Sequence, residues 1–531
     1  MHAHHPRLVT ALSCLLLACA PYGGASAAPG PSKGPADPTG TQPKAEASKP
    51  GERPAKGDAS ESPDAIERVV TTRHKLGKGL KALRYTAAAG TMTLRDAEGE
   101  ATASVFYIAY TRDGVKDPKD RPITFAFNGG PGSSAVWLQL GTLGPRRVDF
   151  PDAVAPAPPP YSLIDNEYTL LERSDLVFID PVGTGFSRAL AGASDKNQFY
   201  GVKPDVEAVA EVIRTYCSRA GRWNSPKYLA GESYGTTRAA ALVNHLQGQG
   251  MFFNGVILVS SILNFQTARF SAGNDLPYIL FLPSYAATAW YHDGQQGGAE
   301  GLRAYLEEVR EFARTDYALA LLAGARLDAS TRQGVTRSLA RYTGLEPGFI
   351  EQSDLRVPPQ RFFSELLRAR TVTVGRLDSR YVGSEAVGVR PTPSYDPSYA
   401  AILGPYTAAM NHYVREELQF AEDRKYEILS GEVGKHWRWS DPTQTGYVNV
   451  AEDLARAMRT NPHLRVFIAN GYYDLATPFF ATEYTVDHLR VSPSARKRVT
   501  MGYYESGHMM YIHKPSLAAL ASDLSRFVTG S

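Results

Sequence analysis

Residues 227–247 read KYLAGESYGTTRAAALVNHLQ: a short apolar run, a serine between two glycines, and an Ala- and Leu-rich stretch. The run at 227–230 is typical of a buried strand, and the stretch at 236–247 is typical of a helix packed behind it. Between them, Gly231-Glu-Ser-Tyr-Gly235 matches a turn in which glycines flank a serine because there is no room for side chains. The pentapeptide alone is a weak signal, so the assignment depends on the strand and helix patterns beside it.

The alternation of short apolar runs with helical patterns continues along most of the chain. Each run is brief, rich in β-branched or aromatic residues, and bounded by Gly, Pro, Asn or Asp, which is typical of strands buried on both faces. Such strands are predicted at residues 123–127, 176–179, 227–230, 256–259, 466–469 and 498–503. A helical pattern begins near Pro204, and an antiparallel hairpin is predicted at residues 91–94 and 102–110. The chain is therefore predicted to be an α/β protein with a mainly parallel sheet and helices on both faces.

The alternation of strand and helix patterns is interrupted in the middle of the chain. Residues 265–440 contain helical patterns such as that at 302–314, proline-bearing loops and many aromatic residues. Strand patterns resume only near Arg465, so an insertion into the sheet domain is the simplest interpretation. We predict a core of residues 66–264 and 441–531 and an inserted, mostly helical lid region at 265–440.

The amino terminus has the pattern of an export signal. Residues 1–28 contain histidines and an arginine, an apolar run too short to cross a bilayer, and small residues near the end. Ala25-Ser-Ala27 suits ordinary signal peptidase, whereas Leu16-Leu-Ala-Cys19 resembles a lipoprotein box in which Cys19 would carry a lipid anchor. Residues 29–65 are rich in Pro, Ala, Gly, Ser and Lys and predict a disordered spacer. We expect an exported protein that is periplasmic, anchored to a membrane by lipid, or secreted.

The composition argues against several kinds of chemistry. Lys and Arg number 57 and Asp and Glu number 54, and this net charge of +3 is too small to favour nucleic-acid binding through phosphate contacts. The three cysteines, at positions 14, 19 and 217, provide neither a disulfide framework nor a cysteine-rich zinc site. Cys217 falls on the apolar face of a helical pattern and is predicted to be a core residue. The sequence has no metal-binding motif, so neither a metal nor a cofactor is expected.

A serine nucleophile needs a base that takes its proton and an acid that orients the base. Asp474 follows the predicted strand at 466–469, and His508 follows the next predicted strand, 34 residues further on. One helical pattern and one strand fill that interval, which is a single repeat unit of a parallel sheet. Both side chains are therefore predicted to reach the carboxyl edge of the sheet, beside Ser233. His513 is a rival base, but it lies where the last helix begins.

Acyl transfer also requires donors for the negative charge that develops on the carbonyl oxygen. Asn128-Gly-Gly-Pro-Gly-Ser-Ser134 follows the predicted strand at 123–127, and a glycine-rich turn there can direct backbone N–H groups at the carbonyl. The N–H of Tyr234, the residue after the nucleophile, would be the second donor. The turn lacks the Gly-Lys-Ser/Thr ending of a phosphate-binding loop.

With these segments in place, the sequence resembles the serine carboxypeptidase family, peptidase family S10. The segments that carry the resemblance, all in the family's order, are Asn128-Gly-Gly-Pro-Gly-Ser-Ser134, Asp180-Pro-Val-Gly-Thr-Gly-Phe-Ser187, Gly231-Glu-Ser-Tyr-Gly235 and the loops of Asp474 and His508. The resemblance implies an α/β-hydrolase fold with an inserted lid, and removal of one residue from the carboxyl terminus of a peptide. It implies that Ser233 is the nucleophile, His508 the base and Asp474 the orienting acid. Gly130 and Tyr234 would supply the oxyanion N–H groups.

The resemblance also implies a site for the terminal carboxylate of the substrate. Asn128 and Glu232 would hold this carboxylate, assisted by the backbone of Gly129. Glu232 can donate a hydrogen bond only while it is protonated, so an acidic optimum is our hypothesis. The family has a second Glu that shares this proton, but Thr142 occupies that position here. We therefore expect a smaller rise in the pKa of Glu232 and a weaker preference for acid.

Other functions are compatible with the same catalytic side chains. An esterase or an acyltransferase would use the same Ser-Asp-His triad, but recognition of a free carboxylate by Asn128 and Glu232 favours a peptidase over an esterase. An inactive, surface-tethered binding module would be expected if a triad residue were missing, and none is. The predicted partners are therefore peptides with a free carboxyl terminus, and no nucleic acid.

Overall fold

The structure is a computed structural model, and it describes residues 65–530 except 79–81, 152–153, 295–297 and 440–445. The predicted export signal, both candidate cleavage sites and all but the last residue of the predicted spacer lie outside the described residues. In the part of the chain that the structure describes, no helix is both long enough and apolar enough to span a bilayer.

A large mixed sheet positions the residues that the sequence analysis singled out. In chain order the strands are β1 (Val69–Leu76), β2 (Leu83–Arg95), β3 (Ala101–Arg112), β4 (Ile123–Phe127), β5 (Arg146–Val148), β6 (Leu163–Asp165), β7 (Asp175–Ile179), β8 (Arg188–Ala189), β9 (Lys227–Glu232), β10 (Gly255–Val259), β11 (Val372–Val374), β12 (Val382–Ser384), β13 (Arg465–Gly471) and β14 (Val499–Tyr504). The large sheet has the order β1-β2-β3-β7-β4-β9-β10-β13-β14. Strands β7, β4, β9, β10, β13 and β14 are parallel, whereas β1, β2 and β3 pair antiparallel. The predicted α/β fold with a mainly parallel sheet is confirmed.

Helices cover both faces of this sheet and make up most of the predicted lid region. They are α1 (Val136–Leu138), α2 (Val202–Arg219), α3 (Tyr234–Gly248), α4 (Leu276–His292), α5 (Gly298–Phe312), α6 (Ala318–Ala323), α7 (Ala329–Thr343), α8 (Pro347–Gln352), α9 (Pro359–Glu365), α10 (Pro397–His412), α11 (Gly431–His436), α12 (Ala451–Thr460), α13 (Phe479–Asp487), α14 (Pro493–Arg496) and α15 (Lys514–Thr529). The helices α4 to α11 and the β11–β12 pair lie within residues 265–440.

The parallel strands are buried on both sides because each face of the sheet carries a helical layer. In β10, Val256 and Leu258 pack into the layer that contains α2, α3 and α12. Ile257 and Val259 pack into the opposite layer, with α10 and α15. Each fully buried side chain of this kind stabilises the fold by about 1.5–3 kcal/mol. Burial on both faces explains why these strands appear in the sequence as continuous apolar runs.

The elements outside the parallel sheet agree less closely with the sequence pattern. The helix α2 begins at Val202, two residues before Pro204. The sequence does not predict β1, whose alternate residues are exposed because it is the edge strand.

Cys217 is fully buried, and burial raises the pKa of its thiol to about 11, so the prediction of a core residue is confirmed.

Candidate active site

Ser233 occupies a sharp turn between β9 and α3. Its backbone angles, φ of 60° and ψ of −129°, lie in a region that residues other than glycine rarely adopt. Its N–H donates to Val259 O at 3.0 Å. A side chain at Gly231 would overlap the carbonyl of Gly235, and a Cβ at Gly235 would lie 2.9 Å from Phe127 O. The two glycines are therefore required by the close packing of the turn, as the motif predicts. The side chain of Ser233 is half-buried.

Asp474 and His508 follow the carboxyl ends of β13 and β14, and the structure brings them together. His508 Nδ1 lies 2.8 Å from Asp474 Oδ2, and both side chains are buried. Asp474 is held in place by the N–H groups of Ala476 and Thr477, at 2.7 and 3.0 Å from Oδ1. The Thr477 hydroxyl donates to Oδ2 at 2.7 Å. A proton on Nδ1 that is donated to Asp474 leaves Nε2 of the neutral imidazole free to act as a base.

Neighbouring strands connect this pair to the serine turn. Strand β10 lies between β9 and β13, and Ser260, at its end, donates its hydroxyl to His508 O at 2.6 Å. The pKa of His508 is raised above its usual value: burial opposes protonation, but the charges of Asp474 and Glu232 and the hydrogen bond to Asp474 outweigh it. Glu232, one of the two residues whose charges raise the pKa of His508, directly precedes Ser233 in the serine turn.

His513, the rival base, has a different hydrogen-bond partner at its Nδ1. It caps the amino terminus of α15, and its Nδ1 lies 2.8 Å from Ser516 Oγ. The structure therefore pairs Asp474 with His508.

The glycine-rich turn after β4 packs against the amino terminus of α3. A Cβ at Gly129 would overlap the backbone N of Tyr234, so only glycine allows this approach. Gly130 has a φ of +98°, a conformation that also favours glycine. The turn that contains Gly130 and the N–H of Tyr234 are thus neighbours at the carboxyl edge of the sheet, where an oxyanion next to Ser233 would be bound.

Glu232 is buried beside these residues and accepts a 2.6 Å hydrogen bond from the hydroxyl of Tyr511. Burial raises the pKa of Glu232 to about 7, although the His508 charge and hydrogen bonding by Tyr511 and Asn128 oppose the rise. Asn128 Oδ1 accepts the N–H of Leu138 at 3.1 Å. Among the described residues, Asn128 Nδ2 is a buried donor without a partner of normal hydrogen-bond geometry. The site thus combines a protonatable carboxyl group with a nearby amide donor that makes no well-formed hydrogen bond.

Two contributors to the site are not apparent from the sequence. One is Tyr511, and the other is the buried ion pair of Arg238 and Asp205, with 2.8 Å between Nε and Oδ2. Arg238 also donates to Asn128 O at 2.6 Å, and the hydroxyl of Tyr234 donates to Asp205 at 3.1 Å. The ion pair therefore holds the residue that begins the glycine-rich turn, Asn128, and the side chain of Tyr234, whose N–H is the other candidate oxyanion donor. The spacing of Tyr234 and Arg238, one helical turn apart, is a sequence signal only for the contact of the Arg238 guanidinium with the Tyr234 ring.

Over part of its length, the sequence is similar to known proteins. Residues 83–267 match the family model described as serine carboxypeptidase. Serine carboxypeptidase-like 13 of Arabidopsis thaliana is 27% identical over 175 residues, 32% of this chain and 39% of that protein. Serine carboxypeptidase-like 8 of the same plant is 28% identical over 180 residues, 34% of this chain and 38% of that protein. The match thus spans about two fifths of the length of these curated relatives.

A solved structure extends the likeness beyond the matched segment. The prohormone-processing carboxypeptidase Kex1 from Saccharomyces cerevisiae aligns over 84% of this chain and 91% of its own, with a TM-score of 0.52 and 15% sequence identity. At this identity the likeness concerns the fold. The described chain has the α/β-hydrolase fold, and over residues 83–267 it is similar to the family of serine carboxypeptidases.

Proposed function

We propose that this protein is a serine carboxypeptidase, which removes the last residue of a peptide through an acyl-enzyme on Ser233. One observation carries the proposal beyond a general hydrolase: the amide donor of Asn128 lies beside Glu232, the residue before the nucleophile, and makes no well-formed hydrogen bond. A pKa of about 7 lets Glu232 stay protonated, and so donate, at and below neutral pH. Two buried donors at this point favour a substrate that ends in a carboxylate.

The proposed reaction follows from the roles of the catalytic groups. His508 Nε2 takes the proton of Ser233 Oγ, and Oγ attacks the carbonyl carbon of the last peptide bond. The N–H groups of Gly130 and Tyr234 donate to the oxyanion. His508 then gives its proton to the departing amine, the C–N bond breaks, and the acyl group stays on Ser233. Water, deprotonated by His508, releases the shortened peptide, while Asp474 stabilises the imidazolium in both steps.

The carboxylate site explains why only one residue would be removed. Asn128 Nδ2, protonated Glu232 and the backbone N–H of Gly129 would bind the terminal carboxylate. Because the site adjoins the nucleophile, the carbonyl next to the last residue is the one that reaches Ser233 Oγ. The peptide bonds further along the substrate would lie outside the reach of the nucleophile.

A comparison of three substrates tests this proposal against its alternative. The substrates are an N-blocked dipeptide with a free carboxyl terminus, its carboxamide and its methyl ester. We expect cleavage of the free acid with a kcat/KM well above that of the carboxamide, because only the free acid provides the carboxylate. Ser233→Ala should abolish cleavage. Equal rates on the free acid and the carboxamide, or hydrolysis of the ester alone, would instead support an esterase.

The proposal also includes export. The pattern of residues 1–28 supports an exported protein that is periplasmic, lipid-anchored through Cys19, or secreted. Mass spectrometry of the first residue of the mature protein distinguishes the routes. An acylated Cys19 indicates a lipid anchor, a free Ala28 indicates ordinary signal peptidase, and an intact Met1 would contradict export.

A further inference from the structure

The predicted lid region contributes a short segment that contacts the loops of both Asp474 and His508. We call residues 376–380, Arg-Leu-Asp-Ser-Arg, the lid clamp. In the loop of Asp474, the N–H of Leu475 donates to Arg376 O at 3.1 Å. The N–H and the hydroxyl of Ser379 both donate to Tyr473 O, at 3.0 and 3.1 Å. The lid clamp therefore holds the residues on either side of Asp474.

The same segment bonds to each residue of the loop that ends in His508. Leu377 O accepts the N–H of His508 at 2.6 Å, and Asp378 Oδ2 accepts the N–H of Gly507 at 3.1 Å. Arg380 donates to Glu505 O at 2.8 Å and to the side chain of Ser506 at 3.0 Å; the loop runs over residues 505–508. A Cβ at Gly507 would overlap Leu377 O, so the glycine is required by the closeness of the lid clamp.

A buried ion pair fixes the geometry of the lid clamp itself. Arg380 Nε lies 2.9 Å from Asp378 Oδ1, and Nη2 lies 2.7 Å from Oδ2, a two-point contact. Their side chains are 5% and 3% exposed, so little water competes for these hydrogen bonds. Charge-assisted contacts with two points of attachment are strong and directional, and a buried charge is costly without its partner. Neither residue can therefore move without disturbing the other and the loop at 505–508.

We propose that Asp378 and Arg380 are positioning residues for the His508–Asp474 pair, which makes the lid region part of the catalytic apparatus. This inference rests on the proposed function, in which His508 is the general base. Among the described residues, the hydrogen bonds of these two side chains go to each other and to residues 505–507, so both act through the backbone that carries the base. A displacement of about 1 Å in a catalytic group can cost about 10²-fold in rate, so the contacts of the lid clamp should affect kcat.

The loss of the lid clamp should also change the titration of the base. The charged groups that act on His508 are Asp474 and Glu232, which raise its pKa, and Arg376, which lowers it. If the loop loosens, the contact with Asp474 weakens, and the pKa of His508 should fall. The acidic limb of the pH profile, where His508 loses its proton, would then move to lower pH.

The test uses Arg380→Met in the full chain, with Arg222→Met as the matched control. Arg222 is also a buried arginine, paired with Asp175 at 2.5 Å, but it lies at the opposite end of the parallel strands. The readouts are the rate at which a fluorophosphonate labels Ser233, and kcat and KM for a free-acid dipeptide from pH 4 to 9. We expect Arg380→Met to lower the labelling rate and kcat by about 10²-fold, with KM within a few-fold of wild type. In Arg222→Met, the acidic limb of the pH profile should lie at the same pH as in the wild-type protein, even if the substitution lowers Tm.

Two milder variants keep the test decisive if Arg380→Met does not fold. Asp378→Asn retains the size of the side chain and an acceptor, and Arg380→Lys retains the charge but not the two-point contact. Both should reduce the labelling rate in the same direction, by smaller factors. The inference would be overturned if every folded Asp378 and Arg380 variant is labelled at the wild-type rate and has its acidic limb at the wild-type pH. The proposed function would then remain intact. Absence of labelling in the wild-type protein would instead overturn both.

Discussion

The hydroxyl of Tyr511 lies 2.6 Å from Glu232 Oε2, and both side chains are buried. The resemblance to serine carboxypeptidases leads one to expect a second carboxyl group here, but the corresponding residue is Thr142, whose hydroxyl has no partner among the described residues. A tyrosine that donates favours the ionised form of Glu232, whereas a carboxylate neighbour would oppose it. Burial is nevertheless the larger effect, and it raises the pKa of Glu232 to about 7.

The pH dependence of kcat/KM should therefore be bell-shaped. Activity requires neutral His508, whose pKa is raised above its usual value, and protonated Glu232, whose pKa is about 7. As the pH rises, loss of the proton from His508 should increase kcat/KM, and loss of the proton from Glu232 should decrease it. Glu232→Gln keeps a neutral donor at every pH, so its profile of kcat/KM for a free-acid dipeptide should lack the alkaline decrease. Identical profiles for the two proteins would refute the proposed role of Glu232.

Tyr511→Phe should shift the alkaline limb to higher pH. The variant removes a hydrogen bond that lowers the pKa of Glu232, so Glu232 should stay protonated over a wider range. Tyr413→Phe is a matched control, since it removes another buried hydroxyl, which accepts from Tyr110 at 3.0 Å. The measurement is kcat/KM for the free-acid dipeptide between pH 6 and 9. If the alkaline limb of kcat/KM does not move in Tyr511→Phe, or moves equally in Tyr413→Phe, the hydrogen bond from Tyr511 does not control the pKa of Glu232.

The unusual pKa of Glu232 also predicts how stability depends on pH. Below the ordinary Glu pKa of 4.5, the folded and unfolded states both carry the proton. Between 4.5 and about 7 the unfolded state releases it and the folded state keeps it, so the wild-type protein loses stability as the pH rises through this window. Glu232→Gln lacks this loss. Its Tm relative to wild type should therefore be higher at pH 8 than at pH 4, as measured by calorimetry, and an unchanged difference between these pH values would contradict the raised pKa.

The ion pair behind the oxyanion turn should matter for rate. The double variant Asp205→Asn/Arg238→Met removes both buried charges together, which avoids leaving one of them unpaired. It removes the contact to Asn128 O and leaves the Tyr234 hydroxyl with a neutral, weaker acceptor, so the N–H donors should lose alignment. We expect kcat/KM to fall by about 10²-fold, comparable to the loss of one oxyanion donor. A folded double variant, judged by its thermal unfolding, with wild-type kcat/KM would show that the pair has only a structural role.

Local sequence patterns predicted the parallel strands and the residues at their carboxyl ends. Buried strands have a clear apolar signature, and the spacing of Asp474 and His508 matches one repeat of the sheet, so topology alone brings them to one edge. The supporting contacts could not be predicted in this way. Tyr511 and Glu232 are 279 residues apart in the chain, and Arg380 and Ser506 are 126 apart. No local periodicity carries information about such pairs. The edge strand β1 is also missed, because its half-exposed residues lack the apolar run of a buried strand.

The identity of the nucleophile is the claim on which the remaining predictions depend. The most direct measurement is mass spectrometry of the full-length protein after reaction with a fluorophosphonate, followed by peptide mapping. We expect a single adduct on Ser233 in the wild-type protein, and loss of the adduct in His508→Ala, because no base would then activate the hydroxyl. An adduct on a different residue, or labelling of Ser233 that persists at the wild-type rate without His508, would show that Ser233 is not a nucleophile activated by His508.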